Sequence, residues 1–385
     1  MTAMPWPVHP QPLQDEIFSS WVYRAARANG QNFFSLCHLL TPEMKNTHHN
    51  YDYLTTENVV RKFSQMLSTS YKTALGTTID SFAGYLFEQP TPKVNRRTCI
   101  LQEGIKPNNY KRFSLQFCPM CLSEGEPYFR KQWRISLITV CTKHACQLHD
   151  RCPQCYSPIQ PLKNEIKNKY KMPFLGEITQ CFRCGFNLKE TTVIQAELQT
   201  MIDTVWYEKI LKSGYVSLDN KQWIYSFSFF YVLRHLIRCV LQKDLGSTSI
   251  NDFIDPDIMT HEYRYRAMCE LSSVFDQWPT KFLILCENLN VTYSDLTCMT
   301  KQKPLLPFWL ESVVKHHLYF PNLQPSDESI KAAIDYLVAH RKRLNASELN
   351  RILGYEDSTV IKKVLKSYQK ERQFHLPYMR RSNEQ

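Results

Sequence analysis

Four pairs of metal-binding residues crowd the stretch between positions 118 and 184: Cys118-Pro-Met-Cys121, Cys141-Thr-Lys-His144, Cys152-Pro-Gln-Cys155 and Cys181-Phe-Arg-Cys184. A Cys-x-x-Cys turn places two thiolates on one side of a tight loop. Two such pairs from separate segments close a tetrahedron of Zn–S bonds about 2.3 Å long. Pairing by adjacency assigns Cys118, Cys121, Cys141 and His144 to one metal and Cys152, Cys155, Cys181 and Cys184 to another. A cross-braced arrangement, with alternate pairs sharing a metal, satisfies the same spacing. Cys146 and His149 are left over: His149 competes with His144 for the fourth position, although Cys-x-x-His fits knuckle spacing better, and Cys146 reads as a small buried or half-exposed residue. Four protein donors leave no open position for a water, so the chemistry expected is structural. Two Zn²⁺ would supply folding energy to a segment too small to build a core.

Other chemistries find less support. A zinc deaminase needs His-x-Glu with Pro-Cys-x-x-Cys; the chain has no His-x-Glu, and Phe117 and Arg151 precede the two Cys-x-x-Cys turns that open the zinc pattern. Neither Gly-rich phosphate loop pattern occurs. No nucleophile elbow nominates a triad, and the acidic residues are scattered, nominating no nuclease or transposase centre. His48-His49 and His316-His317 lack partners at ligand spacing and read as ordinary surface or half-buried residues.

The 385 residues suffice for two or three domains, and 43% hydrophobic and 13% aromatic residues can fill real cores. Only 10 glycines argue against a turn-dense sheet fold. The net charge of +11 is concentrated: residues 111–190 carry 13 Lys and Arg against 6 Asp and Glu, and residues 329–385 carry 12 against 6. Seven thiolates and two Zn²⁺ lower the zinc region to about +4, which leaves the C-terminal region as the more basic patch. Such a patch suits a polyanion, by counterion release, or serves as a solubilising surface. The start, MTAMPWPVHPQPLQDE, has no apolar core of a signal peptide. The most apolar stretch, Trp223 to Leu241, is interrupted by Arg234, His235 and Arg238 and reads as a buried amphipathic helix, with no membrane span. Fourteen cysteines without a secretion signal point to metal in a reducing, cytoplasmic compartment.

The elements that position these residues read as mainly α. Residues 1–16 are Pro-rich and extended. A helix begins near Asp15, with Ile17, Trp21, Ala25 and Ala28 at helical spacing and Gly30 as C-cap. Short helices follow at 33–40, 56–68 and 78–88, with starts at Thr55-Thr56-Glu57 and Thr78-Ile79-Asp80. Residues 89–114 read as a connector. Four domains result: a helical domain over 1–114, helix-turn-helix-like; a double zinc-binding module over 115–190; a helical domain over 191–326, broken near 213–220, 243–252 and 301–307; and a C-terminal helix-turn-helix over 327–385. In the last, SIKAAIDYLVAHRKR is one helix, and NASELNRILGY a second, with Asn345 as N-cap, Glu348 at capping-box spacing and Gly354 as its end. Ser358 caps a third, TVIKKVLKSYQKER, which carries Lys362, Lys363, Lys366 and Lys370. The order suits a helix-turn-helix as well as any three-helix bundle. The four lysines are candidates for contact with nucleic acid or with a protein partner.

These residues resemble a known family. PWPVHPQPLQDEIFSSWVYRAARANG is similar to the opening of TniQ/TnsD proteins: a Pro-containing lead, an acidic residue, a helix with Ser-Trp, then Arg-x-Ala. FCPMCLSEGEPYFRKQWRISLITVCTKHACQLHDRCPQC, followed by CFRCGFNL, resembles that family's zinc pattern, and the likeness covers about residues 1–190. It implies target selection in DNA transposition inside a bacterial cytoplasm, without transposase chemistry. TniQ-type members join an RNA-guided Cascade complex with its crRNA, often as a homodimer, and help recruit the AAA+ regulator TnsC, which engages the transposase. TnsD-type members bind attachment-site DNA directly. The chain is nearer the TniQ-type length. The resemblance therefore implies an adaptor of a CRISPR-associated transposon, meeting DNA directly or through the complex, with the TnsD-like DNA-binding role as the alternative. Tyr128, Phe129 and Trp133 are expected to build the core around the first zinc, with partner contact as the other reading.

Overall fold

In the computed structural model, which describes residues 5–40, 51–52, 57–89, 97–102, 112–163, 177–218, 222–244, 254–297, 306–319, 325–355 and 358–374, helix dominates. The chain divides into two compact units, Met1–His316 and His317–Gln385. Strand among the described residues is confined to two short hairpins.

The first unit starts on the Pro-rich lead. Its extended backbone is held by the Trp21 indole N–H, which donates to the Pro10 carbonyl at 2.8 Å. Helix α1 (Phe18–Ala28) then buries Phe18, Trp21, Val22, Ala25 and Ala26. It ends at Asn29, with Gly30 beyond it at φ +63°, where a glycine carries no Cβ penalty. A buried ion pair ties this helix to the residue before its cap: Arg24 donates to both Glu16 carboxylate oxygens, at 2.8 and 2.7 Å, while Ser20 and the Leu13 amide donate to the same carboxylate. Helices α2 (Phe33–Leu40), α3 (Glu57–Met66) and α4 (Tyr71–Gly76) complete the N-terminal layer, with Phe63 edge-on to Phe18 at 5.3 Å.

Two expectations fail here. The helix read over 78–88 is only a 3-10 turn, Ile79–Phe82. Gly84 takes φ +80° and its N–H donates forward to the Phe87 and Glu88 carbonyls, opposite to the sense of helical hydrogen bonds. The connector read over 89–114 contains a core segment. Cys99, Ile100 and Leu101 are buried, Leu101 and Arg134 share a backbone hydrogen bond, and the Gln102 amide donates to Asp257. Prolines and charges on either side hid this apolar triplet. Thr55, Thr56 and the pair His48-His49 lie outside the described residues.

The zinc segment, with α5 (Pro119–Ser123) and the hairpin β1 (Val140–Cys141)–β2 (Cys146–Gln147), packs between the N-terminal layer and later helices. On one side the Ile17 amide donates to Phe129, and Arg134 donates to Asp52 at 2.7 Å in a buried pair. On the other, fully buried Arg264 donates to the Ser136 carbonyl at 2.8 Å and to Gln116 Oε1 at 3.0 Å. His261 donates its backbone N–H to Asp150 at 2.6 Å. Ser136 donates to Asp257, which Arg234 also holds, at 2.9 Å.

Those helices are α6 (Leu198–Ser213), α7 (Ser226–Asp244), α8 (His261–Glu270), α9 (Thr280–Asn288), α10 (Tyr293–Thr297) and α11 (Phe308–His317). Their core is an aromatic chain: Trp206 against Phe229 at 5.4 Å, Phe229 against Phe275 at 4.7 Å, and Trp278 against Trp309 at 5.3 Å. The apolar stretch expected as one helix from Trp223 starts three residues later; Ile224-Tyr225 is strand β4, paired with β3 (Tyr215–Val216). Among the described residues no helix is long and apolar enough to cross a membrane.

The second unit is a bundle of α12 (Asp327–Ala339), α13 (Ala346–Leu353) and α14 (Thr359–Phe374) around Ile330, Ile334, Leu337, Leu349, Ile361 and Leu365. The caps fall where the residues place them. Asn345 Oδ1 accepts the Glu348 amide at 2.8 Å, Gly354 ends α13 at φ +76°, and Ser358 accepts the Ile361 amide at 3.3 Å. Glu348 uses its carboxylate on Arg351.

Candidate metal centres

The zinc pairs lie on turns whose backbone is forced. In three of the four pairs, the residue after the second donor has positive φ: Ala145 (+50°), Tyr156 (+55°) and Gly185 (+77°). The reversal brings both donors of a pair to one side, and for Ala145 and Tyr156 it carries a strain of about 1–2 kcal/mol each. The fourth pair uses a short helix: Cys118 caps α5, its sulfur accepting the Cys121 amide at 3.5 Å, with Pro119 at the first helical position.

The donors converge by adjacency, and the cross-braced alternative falls. Cys118, Cys121, Cys141 and His144 form one group and Cys152, Cys155, Cys181 and Cys184 the other, the ligand atoms of each lying within 4.8 Å of one another. Zn–S bonds of about 2.3 Å at tetrahedral angles require S···S edges of about 3.8 Å. Cys121 and Cys141 sulfurs stand 3.7 Å apart, and His144 Nδ1 lies 3.4, 3.3 and 3.6 Å from Cys118, Cys121 and Cys141. In the second group the Cys152–Cys184 and Cys155–Cys181 edges are both 3.6 Å. The residues present therefore fit two structural zinc ions. Three thiols this close cannot all ionise without a cation: hydrogen bonding to Cys118 and then Cys141, followed by burial, pushes Cys121 up, while Cys141 is held down by the hydrogen bonds it accepts from Cys118 and Cys121. A bound Zn²⁺ would neutralise this repulsion.

One member of the first site was not anticipated from the sequence. Glu124 Oε1 lies 2.8 Å from His144 Nε2, and Lys143 pairs with the same carboxylate. His144 thus presents Nδ1 to the sulfurs and Nε2–H to a carboxylate, the outer contact that fixes a metal-binding imidazole. The only sequence signal was an acid three residues beyond Cys121. The leftover residues resolve too. Cys146 is fully buried, its sulfur 3.6 Å from Cys118, and His149 packs its ring on Phe117 at 5.5 Å, outside the donor group. Phe129 and Trp133 are buried core, with ring centres 6.0 Å apart.

In the second unit, Lys362, Lys363, Lys366 and Lys370 are all exposed on α14, opposite buried Ile361 and Leu365. They form a cationic stripe just over two turns long, about 12 Å, on one face of the helix.

Compared with known families, residues 7–148 match the TniQ family model. The matched stretch contains the Glu16–Arg24 pair, the Arg134–Asp52 pair and the whole first zinc group, and stops short of the second. No curated protein matches the chain.

Proposed function

We propose that this TniQ/TnsD family protein, whose TniQ domain spans residues 7–148, is the adaptor that links an RNA-guided Cascade complex and its crRNA to TnsC and the transposase. The TniQ match points to target selection in transposition, and an adaptor without transposase chemistry is the reading it supports. The TniQ match is the observation that carries the reading. The layout supports it: two closed metal groups hold a rigid segment, wedged between two helical layers by buried ion pairs, which suits presenting fixed surfaces to partners. The homodimer expected from the resemblance belongs to the same proposal. The test is co-purification of the tagged full chain with Cascade subunits and crRNA, and separately with TnsC. Recovery of both supports the adaptor; recovery of neither refutes it.

A second reading has its own observation. The exposed lysine stripe on α14, a helix capped by Ser358, is compatible with TnsD-like DNA recognition by a helix-turn-helix. It predicts tight, salt-sensitive binding to one attachment-site duplex, lost on Lys362→Ala with Lys366→Ala. An electrophoretic shift unchanged by that double substitution eliminates it.

A further inference from the structure

Four large aromatic side chains crowd one patch of the first unit: Tyr85, Tyr215, Trp223 and Tyr225 are 43%, 48%, 75% and 56% exposed. The β3–β4 hairpin creates the patch. Alternation along β4 buries Ile224 and turns Trp223 and Tyr225 outward. Tyr215 pairs with Tyr225 across the strands, ring centres 5.1 Å apart, and Phe227 stacks on Tyr225 at 5.5 Å and 20°. Tyr85 joins them beside Gly214, its ring at contact distance, 3.4 Å, from where a Cβ on that glycine would stand. Ser226 Oγ also donates to the Tyr85 carbonyl at 2.7 Å.

Tyr85 is also one wall of a cleft of about 510 Å³ that carries Arg130, Lys131, Lys143 and Lys212 against Asp15 and Glu208. Both acids are turned to internal donors, Glu208 accepting from Thr142 at 3.0 Å and Asp15 from the Gln132 amide at 3.2 Å; Lys143 is likewise paired with Glu124, and Lys131 donates to the Gly76 carbonyl and Ser81, so exposed Lys212 is the cation placed to meet a phosphate. Exposed aromatic faces beside a cleft that presents an exposed lysine are the two halves of a single-strand binding surface. Aromatics stack bases of any identity, and cations track the backbone. The geometry points to single-stranded nucleic acid as the occupant, bound with little sequence preference, the bases on Tyr215, Trp223 and Tyr225 and the phosphates toward Lys212. A duplex hides its base faces and is not a ligand for this patch. The site lies in the first unit and does not depend on the adaptor reading.

The experiment is fluorescence anisotropy of the full-length, zinc-loaded chain with 5′-fluorescein-labelled 20-nucleotide oligo(dT) and oligo(rU), at low and moderate salt. Saturable binding is expected, weakened about tenfold or more by Trp223→Ala with Tyr225→Ala. Lys212→Glu should weaken it further and flatten its salt dependence. Zinc content and thermal midpoint of these surface variants, which should match the parent, show that folding is intact. Lys362→Ala with Lys366→Ala should leave oligomer binding unchanged. The inference is overturned if neither oligomer binds, if the aromatic double variant binds like the parent, or if only the α14 lysines matter. It is equally overturned if the aromatic variant loses a protein partner while still binding oligomer.

Discussion

Replacing Arg24 with methionine tests whether the buried ion pair between α1 and the preceding Glu16 holds the N-terminal layer together. Arg24 and Glu16 side chains are 6% and 0% exposed, so the variant strands a carboxylate that keeps only Ser20 and the Leu13 amide. Breaking a buried pair from one side costs about 3–5 kcal/mol, because the remaining charge stays desolvated. The Arg24 contact to half-exposed Glu126 adds little. In a unit of this size each kcal/mol moves the thermal midpoint by about 2 °C, so Arg24→Met should lower it by about 6–10 °C. Glu16→Gln added to Arg24→Met should recover at least about 1 kcal/mol, since the charge is then gone and the amide retains partners. The assay is urea and thermal unfolding by circular dichroism, with zinc content as control. A single variant costing under about 1 kcal/mol, or a double variant with no recovery, would refute the account.

Three further outcomes follow from the geometry. Cys181→Ser should yield a chain holding one zinc, counted by native mass spectrometry, with amide-exchange protection around Cys118 intact; loss of both metals would contradict independent sites. Glu124→Gln should weaken retention of the first zinc about tenfold in competition with a chelating dye, because His144 loses its carboxylate contact; retention equal to the parent would make Glu124 a bystander. Burial holds His235 down to about 4, and its ring donates to the Leu296 carbonyl. The unfolded chain protonates this histidine first, so its stabilisation is complete above about pH 6.5 and is lost as pH falls toward 4. His235→Gln should remove up to about 1.4 kcal/mol per pH unit from the slope of stability within that window; an unchanged slope counts against the burial.

The donor spacing made the metal groups legible before any coordinates, because each pair is a local turn. The caps of the second unit were legible for the same reason: Asn345, Gly354 and Ser358 act on neighbours three or four residues away. What the sequence hid is long-range. Cys99-Ile100-Leu101 looked like connector because its burial depends on Arg134 and Asp257, far along the chain. Helix α6 shows almost no amphipathic pattern, since it buries Thr200, Asp203 and Thr204 and exposes Leu198 and Ile202. Asp203 is tolerated inside because the Ser273 amide donates to it at 2.8 Å. The turn at Gly84 was misread because apolar Phe82, Leu86 and Phe87 imitate helical spacing.

The hydrogen bonds that Arg264 and His261 donate into the zinc segment, and the one that Asp257 accepts from it, set a rule for anyone building chimaeras. Grafting residues 7–148 from a relative would import new side chains at Gln116 and Ser136 while retaining the host's Asp257 and Arg264. A mismatch at 116 would take a side-chain acceptor from the buried Arg264 guanidinium, and one at 136 would take a donor from buried Asp257. Swaps that ignore residues 254–264 should therefore fail by misfolding before partner specificity is ever tested, and swaps that carry both pieces together make the interchangeable part.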